Sequence, residues 1–145
     1  MLSLTNHVLF EKAKNVTSLN HLPQLFLDML EVMVAERGVG LAAPQVGIPE
    51  RVFIMRRDNG QVTMCVNPVI KSPIDKNMIS HEGCLSHPGV FKEVRRDRAI
   101  IASYYDMYGA FRLENMFDEE AYIFQHEMDH LNGKTITSES VGYSS

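Results

Sequence analysis

Residues 118–133, DEEAYIFQHEMDHLNG, predict a helix that carries reactive side chains. The acidic run from Asp118 to Glu120 places negative charge where the N-terminus of a helix favours it, and Gly133 is of the residue type favoured just beyond a helix end. Within this segment, residues 126–130 fit the pattern H-E-x-x-H. The segment therefore predicts a helix with a candidate metal site on one face.

Residues four apart share a face of a helix, so His126 and His130 can bind one metal ion while Glu127 lies beside it. Charged helices also produce this pattern by chance, and a solvated helix face without a metal is the alternative interpretation. The position of a third ligand separates the classes of enzyme that use the pattern.

The third ligand is better sought upstream of the helix. Metzincin proteases have a third histidine ten residues after the first, where this chain has Ile136. Glu139 is the sole acid in the remaining C-terminal residues. Cys84, in the segment EGCLS, is the obvious upstream candidate, and its alternative is a small buried apolar side chain. Cys65 lies in a predicted strand and is expected in the core.

The spacing of apolar residues predicts the other elements. From Leu22 to Val34 apolar side chains recur at helical spacing, with Pro23 near the start and Gly38 at the end. Two hairpins are predicted, one from residues 51–55 and 61–66 around the turn Asp58-Asn59-Gly60, and one from residues 100–105 and 110–113. The order predicts a single α+β domain over residues 1–145, with mainly antiparallel strands packed around the central metal-binding helix and a preceding N-terminal helix.

A glycine-rich segment, GVGLAAPQ at residues 38–45, follows the first predicted helix. Its small residues leave room for an extended ligand against the backbone, and Gln45 brings an amide donor, although a plain helix exit and strand start would look the same. Together GVGLAAPQ, EGCLS and QHEMDH occur in this order. With them the chain closely resembles the peptide deformylase family, from about Gly38 to Gly133.

The resemblance implies a role for each motif residue. The implied metal ligands are Cys84, His126 and His130. Glu127 is implied as the general base and acid, and Gln45 with the backbone N–H of Leu85 as the oxyanion site. The backbone at Val39 and Gly40 is implied to pair with the substrate strand.

The implied reaction removes the formyl group from the N-terminal formylmethionine of newly synthesised polypeptides and releases formate. Metal-bound water attacks the formyl carbon after Glu127 takes its proton, and Glu127 then protonates the leaving amine. The resemblance favours Fe²⁺ in the cell, with Zn²⁺, Ni²⁺ or Co²⁺ as substitutes, because a thiolate ligand tolerates several of these ions. Val39, Tyr122 and Ile123 are candidate walls for the methionine side chain.

The overall composition limits which other classes of function are possible. With 145 residues, 45% hydrophobic and 22% charged, the chain predicts one globular domain. A net charge of −4 gives no general attraction to nucleic acid or membrane, and two cysteines without a leader-like N-terminus predict a cytoplasmic protein. The basic cluster Arg95, Arg96 and Arg98 predicts a solvated or salt-bridged strand edge, with docking on the ribosome near the exit tunnel as the alternative.

Two other classes stay open on the residues alone. One is an H-E-x-x-H peptidase acting on internal amide bonds, against which Ile136 argues. The other is a non-catalytic zinc-binding domain, against which Glu127 argues because a structural zinc site needs no general base. The chain departs from the family pattern at Phe91, where bacterial members often have an arginine that helps to bind the substrate chain, and it resembles a compact form without a long C-terminal extension.

Overall fold

The computed structural model describes residues 2–4, 12–75, 78–84 and 87–134, and the side chains of residues 72–95 lie outside that description. Neither helix in this part of the chain has the length and apolar character needed to cross a lipid bilayer. The elements in chain order are α1 (Leu22–Ala35), β1 (Gly40–Ala42), a 3₁₀ turn (Ala43–Val46), β2 (Val52–Arg56), β3 (Val62–Asp75), β4 (Met78–Cys84), β5 (His87–Arg96), β6 (Ala99–Tyr105), β7 (Phe111–Phe117) and α2 (Asp118–Leu131).

Five of these strands form one antiparallel sheet in the order β1-β2-β3-β6-β7. Gly40 of β1 is opposite Met55 of β2, and Ile54 of β2 is opposite Met64 of β3. Strands β4 and β5 pair with each other in a separate two-stranded sheet. Strand β1 is therefore at one edge of the larger sheet.

Strand β2 is buried on both faces because a helix covers each of them. Phe53 packs on the side of α2, where its ring meets Phe124 edge to face with centroids 5.0 Å apart. Ile54 points the other way, into a second apolar cluster with Met29 of α1. Successive side chains of a strand point to opposite faces, so the sheet lies between the two helices. This sandwich fixes α2 against the sheet.

The predicted α+β class is confirmed, as are both helices and both hairpins. The strands differ in extent, since β3 continues to Asp75 through register shifts and β7 continues to Phe117. The β4–β5 hairpin was not among the predicted strands. Strand β5 contains Pro88 and Gly89, residues that are uncommon inside strands, so its sequence does not show a strand pattern.

Asn67 joins the N-terminal segment to the sheet. Its backbone has a positive φ of 49°, which asparagine tolerates better than most residues, and it lies at a register shift in β3. Its side chain accepts a hydrogen bond from the backbone N of Val16 at 2.8 Å and donates one to the Val16 carbonyl at 3.1 Å. One side chain thus holds an otherwise irregular segment through both of its polar groups.

Candidate active site

Helix α2 places three functional side chains next to one another. The rings of His126 and His130 meet edge to face, with their centroids 5.0 Å apart. His130 is 1% exposed and Glu127 is 4% exposed, while His126 is half-buried. The two histidines therefore lie on one face of the helix, with a buried carboxylate directly beside them.

A glycine of β1 lies against that carboxylate. A Cβ built on Gly40 would be 2.6 Å from Oε2 of Glu127 and 3.1 Å from its Cδ, so a side chain at this position would require the carboxylate or the strand to shift. The carboxylate of Glu127 is thereby held between α2 and the edge strand of the sheet. An extended ligand that pairs with β1 would end beside it.

The 3₁₀ turn that follows β1 orients Gln45. This side chain is 1% exposed, and its Oε1 accepts a hydrogen bond from the backbone N of Ala42 at 2.9 Å. Because the amide oxygen is the acceptor in that bond, the NH₂ group is the donor end of the side chain. The turn thus fixes which end of the amide can serve as a donor.

Two polar side chains of α2 attach the helix to the end of β5. The Gln125 amide donates to the Asp97 carbonyl at 2.7 Å and accepts from the Asp97 backbone N, also at 2.7 Å. Asp129 forms an ion pair with Arg96 at 2.5 Å, and Arg96 is 5% exposed. This ion pair, together with the Gln125 hydrogen bonds, joins α2 to the end of β5.

These contacts include one residue of the basic cluster Arg95, Arg96 and Arg98, which was predicted as a solvated or salt-bridged strand edge. Arg96 is salt-bridged to α2, and Arg98 forms an exposed pair with Asp118 at 3.3 Å. Both arginines are therefore salt-bridged, as predicted, but Arg98 lies between β5 and β6 and not within a strand. The side chain of Arg95 lies outside the described part of the structure.

Arg51 binds the C-terminal end of α2. Its Nη1 donates to the carbonyl of Leu131 at 3.2 Å, and the backbone N of Ala13 donates to the same oxygen at 2.8 Å. Partial burial lowers the pKa of Arg51. A cation at the last carbonyls of a helix is favourable, and here it fixes the helical turn that carries His130.

A second, half-buried polar network surrounds Arg57, immediately after β2. Arg57 pairs with Glu114 of β7 at 2.5 Å and with Glu120 of α2 at 3.1 Å, while Tyr104 donates a hydrogen bond to Glu114. Burial acts to lower the pKa of Arg57, but the hydrogen bonds to both glutamates outweigh it and raise that pKa above its ordinary value.

The same contacts act in the opposite direction on the two carboxylates. Burial alone would raise the pKa of Glu114 and of Glu120, but the hydrogen bonds from Arg57 outweigh it and hold both values below the ordinary 4.5. The network joins β2, β7 and the first turn of α2. Of the three residues, the sequence drew attention only to Glu120, as part of the acidic run that begins α2, because no local spacing relates it to Arg57 or Glu114.

A cleft of about 160 Å³ opens beside this network. Two of its lining residues are predicted methionine walls, Val39, which is 47% exposed, and Ile123, which is 8% exposed. Among the described residues, the others that line the cleft are charged, namely Arg56, Arg57, Asp58 and Glu119. Tyr122, the third predicted wall, is half-buried on α2 and is not among the residues that line this cleft.

The structure describes the remaining predicted site residues only in part. Cys84 is the last residue of β4 and pairs with His87, but its side chain is not among those the structure describes, and Leu85 lies wholly outside the described residues. Among the side chains that are described, no three histidines, cysteines or carboxylates form a set of metal ligands. Cys84 therefore stays the predicted third ligand. Cys65, in contrast, is confirmed as a fully buried core residue, where burial raises the pKa of its thiol.

A helix with H-E-x-x-H against a sheet, with the glutamate buried, is typical of metal-dependent hydrolases. The sequence of this chain matches the polypeptide deformylase family over residues 1–143. It is 42% identical to the peptide deformylase of Thermotoga neapolitana over 130 residues, which cover 89% of this chain and 79% of that protein. The chain therefore belongs to the polypeptide deformylase family.

Solved structures agree with this assignment. The crystal structure of peptide deformylase from Thermotoga maritima superposes with a TM-score of 0.90 at 38% identity, covering 94% of this chain and 95% of that one. The deformylase of the Vibrio parahaemolyticus bacteriophage VP16T, crystallised in complex with actinonin, superposes with a TM-score of 0.87 at 34% identity, covering 94% of this chain and all of that one. Family membership favours the deformylase interpretation over the two alternatives that the residues alone left open.

Proposed function

We propose that this enzyme hydrolyses the formyl amide of N-terminal formylmethionine on newly synthesised polypeptides, releasing formate and a free amine. The observation that carries the proposal is the position of Glu127. Its buried carboxylate lies beside two histidines on one face of α2 and against the backbone of Gly40, at the edge where an extended peptide can add to the sheet.

Two imidazoles one helical turn apart suit a first-row divalent ion, and a thiolate would complete a three-ligand set that keeps a position open for chemistry. His126, His130 and Cys84 are the proposed ligands, with Fe²⁺ as the ion in the cell and Zn²⁺, Ni²⁺ or Co²⁺ as substitutes. When bound, such an ion supplies Lewis acidity that lowers the pKa of water and polarises the formyl oxygen.

Glu127 moves the proton in this scheme. Its carboxylate accepts a proton from the water that attacks the formyl carbon, and it later gives that proton to the departing amine. The close fit against Gly40 limits the carboxylate to a small range of positions. A general base held in this way stays within reach of both the water and the nitrogen.

Gln45 and the backbone N–H of Leu85 are the proposed donors to the formyl oxygen as negative charge grows on it. The hydrogen bond from Ala42 to Oε1 of Gln45 supports this role, because it leaves the NH₂ group as the donating end of the amide. Loss of one oxyanion donor typically lowers kcat by about 10²- to 10³-fold.

The substrate chain is proposed to lie along β1, with backbone contacts at Gly40 and Val39. The carbonyl of Val39 accepts a hydrogen bond from the backbone N of Arg56 at 2.8 Å, so the pairing of the edge with β2 continues to this residue. Ile123 and Val39 offer apolar surface to the methionine side chain, with Tyr122 on the adjoining part of α2. Because the substrate is a nascent chain, we place the reaction in the cytoplasm, near the ribosomal exit tunnel.

The decisive measurement is amine release from formyl-Met-Ala-Ser and from acetyl-Met-Ala-Ser. A site shaped around the single hydrogen of a formyl group is expected to reject the additional methyl of the acetyl peptide. In parallel, Glu127→Ala is expected to retain metal while kcat falls by at least about 10²-fold, since the change removes proton transfer but no ligand. Equal rates on the two peptides, or near-wild-type turnover by the variant, would contradict the proposal.

A further inference from the structure

In the described part of the chain, α1 covers only one half of its face of the sheet. It packs over β1, β2 and the start of β3, where Met29 lies in one apolar cluster with Ile54 and Met64. Farther along the same face, on β3, β6 and β7, five large apolar side chains stay about half exposed, namely Val69, Tyr105, Phe111, Leu113 and Phe117. Together these five residues form the outer apolar face.

The strand register places these side chains on one side of the sheet. Phe111 is opposite Tyr105. Leu113 is opposite Ser103, which is itself opposite Val69. Directly opposite residues of a sheet point to the same side, and so do alternate residues of one strand, which adds the last residue of β7. The rings of Tyr105 and Phe111 meet edge to face with centroids 5.4 Å apart. The outer apolar face is thus continuous across three strands.

The exposed apolar area is large enough to require a partner. An aromatic side chain buries about 150 to 250 Å² when it is fully enclosed, so one that is half exposed leaves roughly 100 Å² uncovered. The five side chains are between 42% and 59% exposed, which corresponds to roughly 450 Å² of apolar surface. The largest apolar patch of a monomeric protein is about 300 to 600 Å² and is often functional. Two copies of this face would bury about 900 Å² between them, and contacts at the rim would bring the interface to about the 1,000 Å² that a specific association requires.

The outer apolar face also suits contact with a copy of itself. In a dimer with two-fold symmetry the same patch meets its own copy, so a charge near the axis opposes a like charge. Every second residue from Ala99 to Tyr105 and from Phe111 to Phe117 lies on this side of β6 and β7, and each of them is uncharged. Two copies can therefore meet here without bringing like charges together.

Both ends of the face carry an exposed ion pair of zero net charge. Arg112 pairs with Asp106 at 3.1 Å beside the β6–β7 turn, and Arg98 pairs with Asp118 at 3.3 Å where β7 meets α2. An apolar centre with a polar rim is typical of protein–protein interfaces. A membrane surface fits less well, because anionic lipid attracts clusters of basic residues and this chain has a net charge of −4.

We propose that the outer apolar face is the interface of a homodimer, in which the β6–β7 halves of two copies pack face to face about a two-fold axis. Leu113 lies nearest the axis, since it is flanked by Phe111 and Phe117 on β7 and by the β6 side chains next to it. Sheets packed face to face are about 10 Å apart, a distance at which large apolar side chains interdigitate. The candidate active site lies on the α2 side of each sheet, away from this contact. The dimer does not depend on the proposed function.

Sedimentation velocity of the full chain between about 1 and 100 μM tests the proposal, because an interface near the lower size limit is expected to have a micromolar dissociation constant. The weight-average mass is expected to rise with concentration from 16.4 kDa toward twice that value. Leu113→Glu is expected to weaken dimerisation by at least about 10²-fold, since it brings two like charges together in an apolar contact. Leu27→Glu is the matched control, because Leu27 is 57% exposed and Leu113 is 59% exposed, but Leu27 is on α1, outside the face. It is expected to leave dimerisation unchanged.

A second variant, Leu113→Thr, adds no charge and keeps a residue that favours strands. It is expected to unfold cooperatively on heating and to weaken dimerisation about tenfold, because most of the apolar contact at the axis is lost. A mass of 16.4 kDa at every concentration, or a dimer that survives both Leu113 variants, would overturn the proposal. If the chain instead stays monomeric and floats with phosphatidylglycerol vesicles, and Leu113→Glu abolishes that binding, the face binds lipid and the dimer is rejected.

Discussion

Replacing Gly40 by alanine tests whether the position of Glu127 governs the reaction. The added Cβ would lie 2.6 Å from Oε2 of Glu127, about 0.8 Å inside the 3.4 Å at which ordinary contact begins. Glu127 is 4% exposed and cannot simply turn into solvent. Either the carboxylate or the edge strand has to move by most of an ångström.

The expected loss of stability and the expected loss of rate differ in size. Inserting a methyl group into a packed site typically destabilises a protein by about 1 to 3 kcal/mol. A misplacement of about 1 Å in a reacting group can cost about 10²-fold in rate. We therefore expect Gly40→Ala to remain folded, to retain its metal, and to lose about 10²-fold in kcat on formyl-Met-Ala-Ser.

Gly60→Ala is the matched control. Gly60 lies in the β2–β3 turn with φ of +87°, and a Cβ there would meet no atom within 4 Å. Its cost is backbone strain of about 1 to 2 kcal/mol, without contact to the active site. Thermal unfolding and steady-state kinetics on both variants separate the effects. If Gly40→Ala keeps the kcat of Gly60→Ala at a similar loss of stability, the contact with Glu127 does not position the base.

Three further predictions follow from other contacts. Cys84→Ala is expected to lose most of its bound metal, as measured by atomic emission. Cys65→Ala is expected to keep the metal and to change only the stability, as measured by thermal unfolding. If Cys84→Ala retained its metal, Cys84 would not be a ligand. Asn67→Ala is expected to lower the free energy of unfolding by about 2 to 4 kcal/mol, because the variant loses two hydrogen bonds to Val16 and places alanine at a positive φ. Urea titrations measure this loss. A smaller loss would show that water replaces the amide. Arg57→Met is expected to destabilise by about 1 to 3 kcal/mol at pH 7. The folded-state pKa values of its two carboxylate partners lie below 4.5, so the stability they contribute is present above pH 4.5 and is lost as the pH falls below it. A difference from wild type that is constant between pH 3 and 7 would contradict the network.

The sequence predicted elements whose signals are local. The apolar spacing from Leu22 and the turn Asp58-Asn59-Gly60 each reflect interactions among near neighbours, and Gly60 indeed has the positive φ that such a turn requires. The hairpin of β4 and β5 has no comparable signal. Its pairing is decided by contacts between segments, which no alternation within 78–96 expresses.

The candidate site also combines features that local sequence predicts with features that depend on the fold. The shared face of His126 and His130 follows from helical spacing alone. The contact of Gly40 with Glu127 depends on how the edge strand packs on α2, so the sequence could only indicate that small residues leave room there. The pairs Arg96–Asp129 and Gln125–Asp97 likewise depend on the fold, since each joins α2 to residues that are distant from it in the sequence.

The charged cleft is the clearest case of a property that no segment contains. Arg56, Arg57 and Asp58 come from the first hairpin, and Glu119 comes from the first turn of α2. In the sequence each is an ordinary surface charge, and the acidic run at Asp118 is explained by the helix dipole. The dipole requires only that the first turn be acidic; the fold determines that Glu120 faces Arg57 and Glu119 faces the cleft. The same acidic turn thus stabilises the helix that carries the proposed base and supplies one carboxylate to the cleft beside Ile123.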